Sequence, residues 1–214
     1  LLAGTLSAQT PVPEWQAGVD KMKSLIQTNP AQASEEVGEL LKGKNKKNVD
    51  LVTSVAHVYL DAGKLTEAQE YLAMAKKANN KDPKVSVLEG DIALAQKNIG
   101  QACQLYEQAI YFDPNCKEAY LKYAQAYKSA SPALAIEKLE QLKAVDPNCL
   151  EADRELAEVY YSSNRFGKAA EMYAKFIDTP LATEDDMLKY AFALFLNHDF
   201  EKSLQVAQKG LQKN

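Results

Sequence analysis

The side chains that most often carry out chemistry at neutral pH, histidine and cysteine, are few in this sequence and far apart. A histidine can act as a general base or a metal ligand, and a cysteine thiolate can act as a nucleophile or bind a soft metal ion. The 214 residues include two histidines, His57 and His198, and three cysteines, Cys103, Cys116 and Cys149. They lack a metal-binding spacing, and an odd number of cysteines is not typical of a disulfide framework. No Gly-rich phosphate loop or Ser–His–Asp series occurs either. We therefore expect no catalytic residue, no metal, no cofactor and no enzymatic activity.

Small residues recur along the chain at nearly constant intervals, and this is the strongest pattern in the sequence. One series has intervals of 34, 34, 33 and 34 residues: Ala56, Gly90, Ala124, Ala157 and Ala191. A second series has the same four intervals: Ala68, Ala102, Ala135, Ala169 and Ser203. The interval of 33 means that one repeat is a residue shorter than the others. A third series places this skipped residue after Tyr127, where the sequence SASP replaces a Gly-containing turn: Tyr59, Ala93, Tyr127, Tyr160 and Leu194. Three series in phase predict an array of repeats, each made of two helices that bury their apolar faces against their neighbours. In or at the edge of the turns between paired helices we expect Gly63 and Gly167, because glycine adopts a positive φ at little cost.

The repeat resembles the tetratricopeptide repeat over about residues 49–214. The unit 117–148 has the matching residues at the Trp, Leu-Gly, Tyr, Ala, aromatic and Pro positions of that family: Tyr120, Tyr123, Ala124, Tyr127, Ala135, Leu139 and Pro147. Three positions depart from the pattern, namely Glu89, Asp153 and Gly210. The resemblance implies an all-α superhelix, a solenoid of helix-turn-helix repeats, whose first helices line a concave groove that binds a peptide or a partner segment.

The repeat phase divides the chain into an N-terminal segment 1–13, a degenerate helical pair 14–48 that caps the array, and five repeats. The repeats are expected at about 49–82, 83–115, 116–148, 149–181 and 182–214. The lysine-rich segment 42–48 is interpreted as a solvated connector.

The resemblance and the phase together predict the residues that line the groove. They are Thr53, His57, Leu60, Val87, Asp91, Leu94, Leu121, Lys122, Gln125, Lys128, Arg154, Glu155, Glu158, Tyr161, Lys189 and Phe192. The lysine and asparagine clamp with which some family members grip a chaperone carboxylate is not matched at these positions. Charge changes at Lys122 and Arg154 are expected to cost little stability, because solvent-facing substitutions seldom do.

Two functions remain open for such an array. The chain is expected to be a non-catalytic protein–protein interaction scaffold that binds a peptide or protein segment in the groove. The alternative is a structural component of a larger complex or longer repeat protein, which contacts its partners through the ends of the array. In the last repeat, residues Leu204, Val206, Ala207 and Leu211 form an apolar strip that predicts a homodimer through this end or a continuation into further repeats.

The composition disfavours nucleic acid as a partner and leaves protein or peptide as the expected one. The net charge of −4 and the pI near 5.4 disfavour nucleic acid, which needs a concentrated basic surface. No segment predicts a membrane span. The first ten residues, LLAGTLSAQT, resemble the end of a secretory signal cleaved near Ala8, which predicts an exported protein, periplasmic or secreted. The protein is cytoplasmic if this segment is not a signal remnant.

Overall fold

The structure, a computed structural model, describes residues 11–211, and every regular element in that range is a helix. The all-α prediction is confirmed. The helices are α1 Gln16–Leu25, α2 Pro30–Leu40, α3 Val49–Asp61, α4 Leu65–Asn79, α5 Pro83–Ala95, α6 Ile99–Phe112, α7 Lys117–Tyr127, α8 Pro132–Val145, α9 Leu150–Ser162, α10 Phe166–Phe176, α11 Glu184–Leu196 and α12 Phe200–Leu211, with a short 3-10 helix at Gly43–Lys47. The segment interpreted as a signal remnant, residues 1–10, lies outside the described residues.

The chain forms two compact units, which we call unit one and unit two. Unit one ends at Leu88 and unit two begins at Glu89, so the boundary lies inside α5. From α3 onward the helices lie two by two in the ranges expected for the five repeats, although the division into those repeats stays a prediction. We call α3, α5, α7, α9 and α11 first helices, and α4, α6, α8, α10 and α12 second helices.

Unit one begins with the helical pair expected from the spacing of its apolar residues. Val19, Met22 and Val37 are buried in this pair. Asn29 caps α2 by accepting a hydrogen bond from the Gln32 amide at 3.2 Å, which satisfies one of the free donors at a helix start.

The lysine-rich segment of unit one, interpreted as a solvated connector, forms the 3-10 helix. Asn45 donates a side-chain hydrogen bond to the Leu40 carbonyl at 2.9 Å, and this bond folds the segment back on the end of α2. Its lysines, Lys44, Lys46 and Lys47, are exposed.

In unit two, the first series of small residues lies where each first helix packs against its second helix. A Cβ atom added at Gly90 would lie 2.5 Å from Cε1 of Tyr106, so any side chain there would displace the ring. Ala124, Ala157 and Ala191 are buried too, with exposed fractions of 8% or less. The periodic small residues are therefore required by close helix packing.

Four turns between first and second helices end the first helix in the same way. One residue has a left-handed φ between 57° and 74°: Gly63 in unit one, and Lys97, Asn164 and His198 in unit two. The next amide then donates to the carbonyl five residues earlier, as Asn98 does to Ala93 at 2.9 Å. This is the Schellman arrangement, which satisfies carbonyl groups left free at a helix end.

The turn after α7 departs from the other four at the place that the skipped residue predicts. There the Ser131 amide donates to the Tyr127 carbonyl at 2.8 Å, and Pro132 begins α8 at once. The expectation for Gly63 is confirmed. Gly167 lies at the edge of its turn, in the first turn of α10, but Asn164 takes the left-handed position. Gly167 is instead a close-contact residue, because an added Cβ would lie 2.9 Å from Oδ1 of Asn197.

Candidate functional site

The sixteen predicted lining residues differ widely in exposure. Three are buried, namely Thr53, Val87 and Asp91. Eleven are half-buried: His57, Leu60, Leu94, Leu121, Lys122, Lys128, Arg154, Glu155, Glu158, Tyr161 and Lys189. Gln125 and Phe192 are exposed. In unit one the Thr53 hydroxyl donates to the Val49 carbonyl of its own helix at 2.8 Å. Because Thr53 and Val87 are only 4% and 1% exposed, they offer no surface to a partner.

In unit two, first helices exchange polar contacts along one side. We call this side the inner surface and define it by Lys122, Gln125, Glu155, Glu158 and Lys189. Gln125 donates to Glu155 at 2.8 Å, and Lys128 pairs with Glu158 at 3.3 Å. These contacts join α7 to α9.

Asp91, at the edge of this surface, is a buried carboxylate held by two donors. The Tyr106 hydroxyl donates to its Oδ1 at 2.7 Å, and the Lys122 ammonium donates to its Oδ2 at 3.0 Å. Burial, together with the charge of Asp91, raises the pKa of Tyr106 well above its usual range, so the phenol stays a donor. The network satisfies two buried polar groups, the Tyr106 hydroxyl and the Asp91 carboxylate, with the half-buried Lys122, and links α5, α6 and α7.

The same network recurs 67 residues later around Glu158. Tyr173 donates to Glu158 at 2.8 Å and Lys189 at 2.9 Å, so acid, tyrosine and lysine repeat at the same offset. Burial opposes the charge of Glu158, but hydrogen bonds from Lys189 and Tyr173 and the charge of Lys128 leave its pKa below the usual value. Burial and the bond to Glu158 raise the pKa of Tyr173.

All four basic side chains among the predicted lining residues are held in ion pairs. Lys122, Lys128 and Lys189 have the partners given above, and Arg154 pairs with the buried Asp186 at 3.0 Å. The expectation that Lys122 and Arg154 can be changed at little cost is therefore wrong, because each neutralises a buried carboxylate. The four side chains therefore have mainly structural roles, because each positive charge is already neutralised by a carboxylate of the chain.

A row of exposed apolar side chains follows these ion pairs on α11. Leu188, Phe192 and Phe195 are 68%, 50% and 51% exposed, and their spacing of four and three residues puts them on one face of the helix. The Phe192 ring lies 6.4 Å from that of Tyr161 on α9, which extends the row to the neighbouring first helix. We call these four residues the apolar row. Sequence reasoning identified Phe192 and Tyr161 but missed Leu188 and Phe195, although their helical spacing from Phe192 was a usable signal.

A second exposed apolar surface lies where α11 and α12 meet no further helix among the described residues. Leu204 and Leu211 of α12 are 60% and 77% exposed, whereas Val206 and Ala207 are half-buried. We call this surface, with Leu188 at its edge, the C-terminal face.

Asp153 shows how the fold accommodates a departure from the repeat pattern. This carboxylate takes a position where the family places tryptophan, and it is only 2% exposed. Lys143 of α8 donates to it at 2.8 Å and Lys175 of α10 at 3.3 Å. Two lysines therefore replace apolar contacts with charged ones at this junction.

The histidine and cysteine side chains, which could carry out chemistry, are not gathered into a reactive centre among the described residues. His198 lies in the turn after α11, and burial raises the pKa of Cys103 to about 11, which keeps the thiol protonated. Between residues 11 and 211 there is no group of three or more His, Cys, Asp or Glu side chains that could hold a metal ion. No helix in the same range is long and apolar enough to cross a membrane.

The sequence profile of the tetratricopeptide repeat matches residues 55–115 and 125–182, more than half of the chain. The chain belongs to the tetratricopeptide repeat family. The solenoid prediction is thereby confirmed, since the structural neighbours are tetratricopeptide solenoids too. No curated protein sequence matches the chain.

Several solved tetratricopeptide structures are similar to this one. PilW, described as a widely conserved type IV pilus biogenesis factor, has a TM-score of 0.70 at 17% identity, over 95% of this chain and 94% of that one. Pseudomonas aeruginosa PilF has a TM-score of 0.67 at 17% identity, over 91% and 89%. YrrB, described as having an unusual peptide-binding site, has a TM-score of 0.58 at 14% identity, over 82% and 90%. At these identities the likeness shows the fold alone. Proteins of the tetratricopeptide repeat family are generally non-catalytic scaffolds for protein–protein interaction.

Proposed function

We propose that this protein is a non-catalytic scaffold whose inner surface in unit two binds an extended protein segment with apolar side chains. The observation that carries the proposal is the apolar row, Leu188, Phe192, Phe195 and Tyr161. Large apolar side chains grouped on a surface favour a binding site, because burying them removes their area from water.

The charges of the same surface indicate which kind of segment fits. Lys122, Lys128, Arg154 and Lys189 are each paired with a carboxylate of the chain itself. A ligand carboxylate would have to displace those partners, so recognition of a terminal carboxylate is disfavoured. An internal segment with leucine or aromatic side chains matches the apolar row and leaves the ion pairs intact.

The experiment compares three variants in capture from a lysate of the source organism. The first is Phe192→Ser with Phe195→Ser, which removes the centre of the apolar row. The second, Tyr111→Ser, is the matched control, because Tyr111 is 82% exposed on the second helix α6. The third, Leu204→Glu with Leu211→Glu, changes the C-terminal face.

We expect a specific partner to be lost by the Phe192 and Phe195 variant and kept by the other two. All four side chains changed in the double variants are at least half exposed, so circular dichroism should report an unchanged fold. A partner kept by the first variant and lost by the third would contradict binding at the inner surface.

The second candidate function is assembly through the C-terminal face, favoured by the exposure of Leu204 and Leu211. In this case the protein is a structural component, and the same three variants separate it from the first function. It includes both arrangements expected from the sequence, a homodimer through this end or a continuation into further repeats.

We also propose that the protein is exported, on the basis of the apolar first ten residues. Expression of the natural gene with a C-terminal tag, followed by cell fractionation and N-terminal sequencing, tests this. Recovery of uncleaved protein in the cytoplasm would contradict export.

A further inference from the structure

A cleft opens in unit two between the second helices α10 and α12, where both meet α11. Its volume is about 300 Å³, at the lower end of the range of about 300–1,000 Å³ that is usual for small-molecule sites. Its floor is formed by Ile177 of α10 with Met187 and Tyr190 of α11, which are 7%, 3% and 2% exposed. We call it the α10–α12 cleft.

The repeat phase explains why a cleft opens at this junction. Two positions that carry long side chains at the α6–α8 and α8–α10 junctions carry short ones here. The first is occupied by Glu107, Glu140 and then Ala174, and the second by Lys138, Met172 and then Val206. Between α6 and α8, the Lys138 ammonium spans the space, since it lies 3.2 Å from Oε1 of Glu107 and 4.7 Å from the centre of the Tyr123 ring. Alanine and valine are too short to do so.

The preceding junction is filled by ion pairs that this one replaces with apolar residues. Between α8 and α10, the carboxylate of Asp153 pairs with Lys143 at 2.8 Å and with Lys175 at 3.3 Å. One repeat later, Met187 and Ile177 take the positions of Asp153 and Lys143. The floor of the α10–α12 cleft is therefore apolar.

At both earlier junctions the space is filled by the three helices that surround it. Lys138 of α8 reaches back to α6 and α7, and Lys143 of α8 and Lys175 of α10 meet on α9. What packs against the C-terminal face therefore does not decide whether the α10–α12 cleft is filled.

The rim of the cleft is polar and carries a positive charge on Lys202. The charge of Lys209 is neutralised by Asp178, whereas Lys202 forms no ion pair among residues 11–211. Its ammonium donates instead to the Tyr190 hydroxyl and lies 5.8 Å from the centre of that ring, and this hydrogen bond raises the pKa of Lys202. Gln205 adds an amide group to the same rim.

We propose that the α10–α12 cleft binds a small amphipathic carboxylate, a molecule with one carboxylate group and an apolar chain or ring. The carboxylate accepts charge-assisted hydrogen bonds from Lys202 and a hydrogen bond from Gln205. The apolar part covers the floor, which removes its area from water. The rim charges of Lys202, Lys209 and Asp178 leave a single positive charge, which matches one carboxylate. The site shares no residue with the inner surface and does not depend on the function proposed for it.

Titration of the 214-residue chain with octanoate, followed by amide chemical shifts in solution NMR, tests the site. We expect saturable shifts grouped in α10, α11 and α12 around the cleft. Acetate, which has the carboxylate alone, and octanol, which has the apolar chain alone, should each bind about tenfold more weakly or less. An affinity for acetate or octanol equal to that for octanoate would overturn the proposal, as would shifts that do not saturate.

Refilling the cleft should abolish octanoate binding. Ala174→Glu with Val206→Met restores the residues of the preceding junction and occupies the space. The matched control, Ala144→Glu with Val145→Met, places the same two residues on exposed positions of α8 and should bind octanoate as the wild type does. A refilled chain with wild-type affinity would contradict binding in the cleft.

A charge variant keeps the test valid if the refilled chain fails to fold. Lys202→Gln changes an exposed side chain and should weaken octanoate binding about tenfold, because a hydrogen bond to a charged group is lost. Lys168→Gln removes the lysine at the same position of α10 and should leave the affinity unchanged. Equal affinities of Lys202→Gln and the wild type would contradict recognition of the carboxylate at the rim.

The apolar row also presents exposed apolar side chains, so its contribution to octanoate binding is tested separately. Phe192→Ser with Phe195→Ser should bind octanoate with wild-type affinity and with the same shifts around the cleft. Loss of octanoate binding in this variant would place the site at the apolar row and overturn the inference. Loss of octanoate binding in Lys202→Gln, with protein capture retained, would support the cleft as a site of its own.

Discussion

At the residue scale, the acid, tyrosine and lysine networks explain why charged side chains lie so close to the core. A buried tyrosine hydroxyl needs a hydrogen-bond acceptor, and Asp91 and Glu158 provide it from the first helix. The acceptor is then neutralised by a lysine of the next first helix. In the repeat between them, Leu139 takes the tyrosine position and needs no acceptor, so the uncharged Gln125 can stand at the acid position.

Glu158→Gln is expected to lower the free energy of unfolding by about 1–2 kcal/mol at neutral pH, because Lys128 and Lys189 lose their charged acceptor. The pKa of Glu158 is lowered in the folded protein, so its carboxylate stabilises the fold above the ordinary glutamate value of about 4.3. This contribution is lost as the pH falls from there toward the lower folded-state pKa. Urea denaturation at neutral and acidic pH measures the effect.

The control for this prediction is Glu118→Gln, which changes an exposed carboxylate on α7. The stability difference between wild type and Glu158→Gln should shrink in acid, while that of the control should stay small throughout. An undiminished Glu158→Gln deficit at acidic pH would contradict the charge-based explanation.

Sequence phase could place Asp91, Glu158, Lys122 and Lys189 on one side of their helices, but it could not pair them. The pairing depends on which side chains from adjacent helices meet, and a helical period gives no information about that. The 67-residue offset between the two networks was nevertheless present in the sequence, as a tyrosine fifteen residues after an acid and a lysine sixteen residues after the tyrosine.

At the element scale, the helices themselves could be predicted well, because small and aromatic residues repeat with them. Helix ends were harder to predict. Glycine predicts a left-handed turn, and this succeeded at Gly63, but the same position is filled by Lys97, Asn164 and His198 in other turns. In those turns the hydrogen bond from the next amide to the carbonyl five residues earlier holds a non-glycine residue in the left-handed conformation, which such residues disfavour.

Lys97→Gly is expected to raise the free energy of unfolding by about 0.5–1 kcal/mol. A left-handed lysine costs about 1–2 kcal/mol, part of which the greater freedom of glycine in the unfolded chain offsets. Thermal unfolding measures the change. Lys97→Ala is the matched control, because it removes the same side chain but keeps the Cβ atom, and it should bring no gain. Equal effects of the two substitutions would show that the left-handed backbone is not strained.

At the scale of the whole molecule, the repeats are similar in backbone but differ in how each meets the next. In unit two, a junction built on tyrosine, acid and lysine is followed by one built on leucine, and then by the first kind again. The backbone repeat has a period of about 34 residues, whereas the polar contacts repeat after 67. A change in one repeat must therefore be matched to its neighbours.

Exposure was the property that the sequence could least foretell. The strip of Leu204, Val206, Ala207 and Leu211 was recognised, but only the structure separates the projecting leucines from the half-buried residues between them. Likewise, Thr53 and Val87 have the phase of lining residues but are covered by neighbouring side chains. Phase gives the direction of a side chain on its helix, and exposure depends also on what lies beside it.

The three thiols of unit two can report local opening of the helices around them. Cys103 and Cys149 are buried and Cys116 is half-buried, so a thiol reagent can reach the first two only when the surrounding helices separate. Each labelling rate therefore follows the opening equilibrium of one place in the array, at α6 or at the start of α9. The unmodified chain would reveal whether neighbouring repeats open together or one at a time.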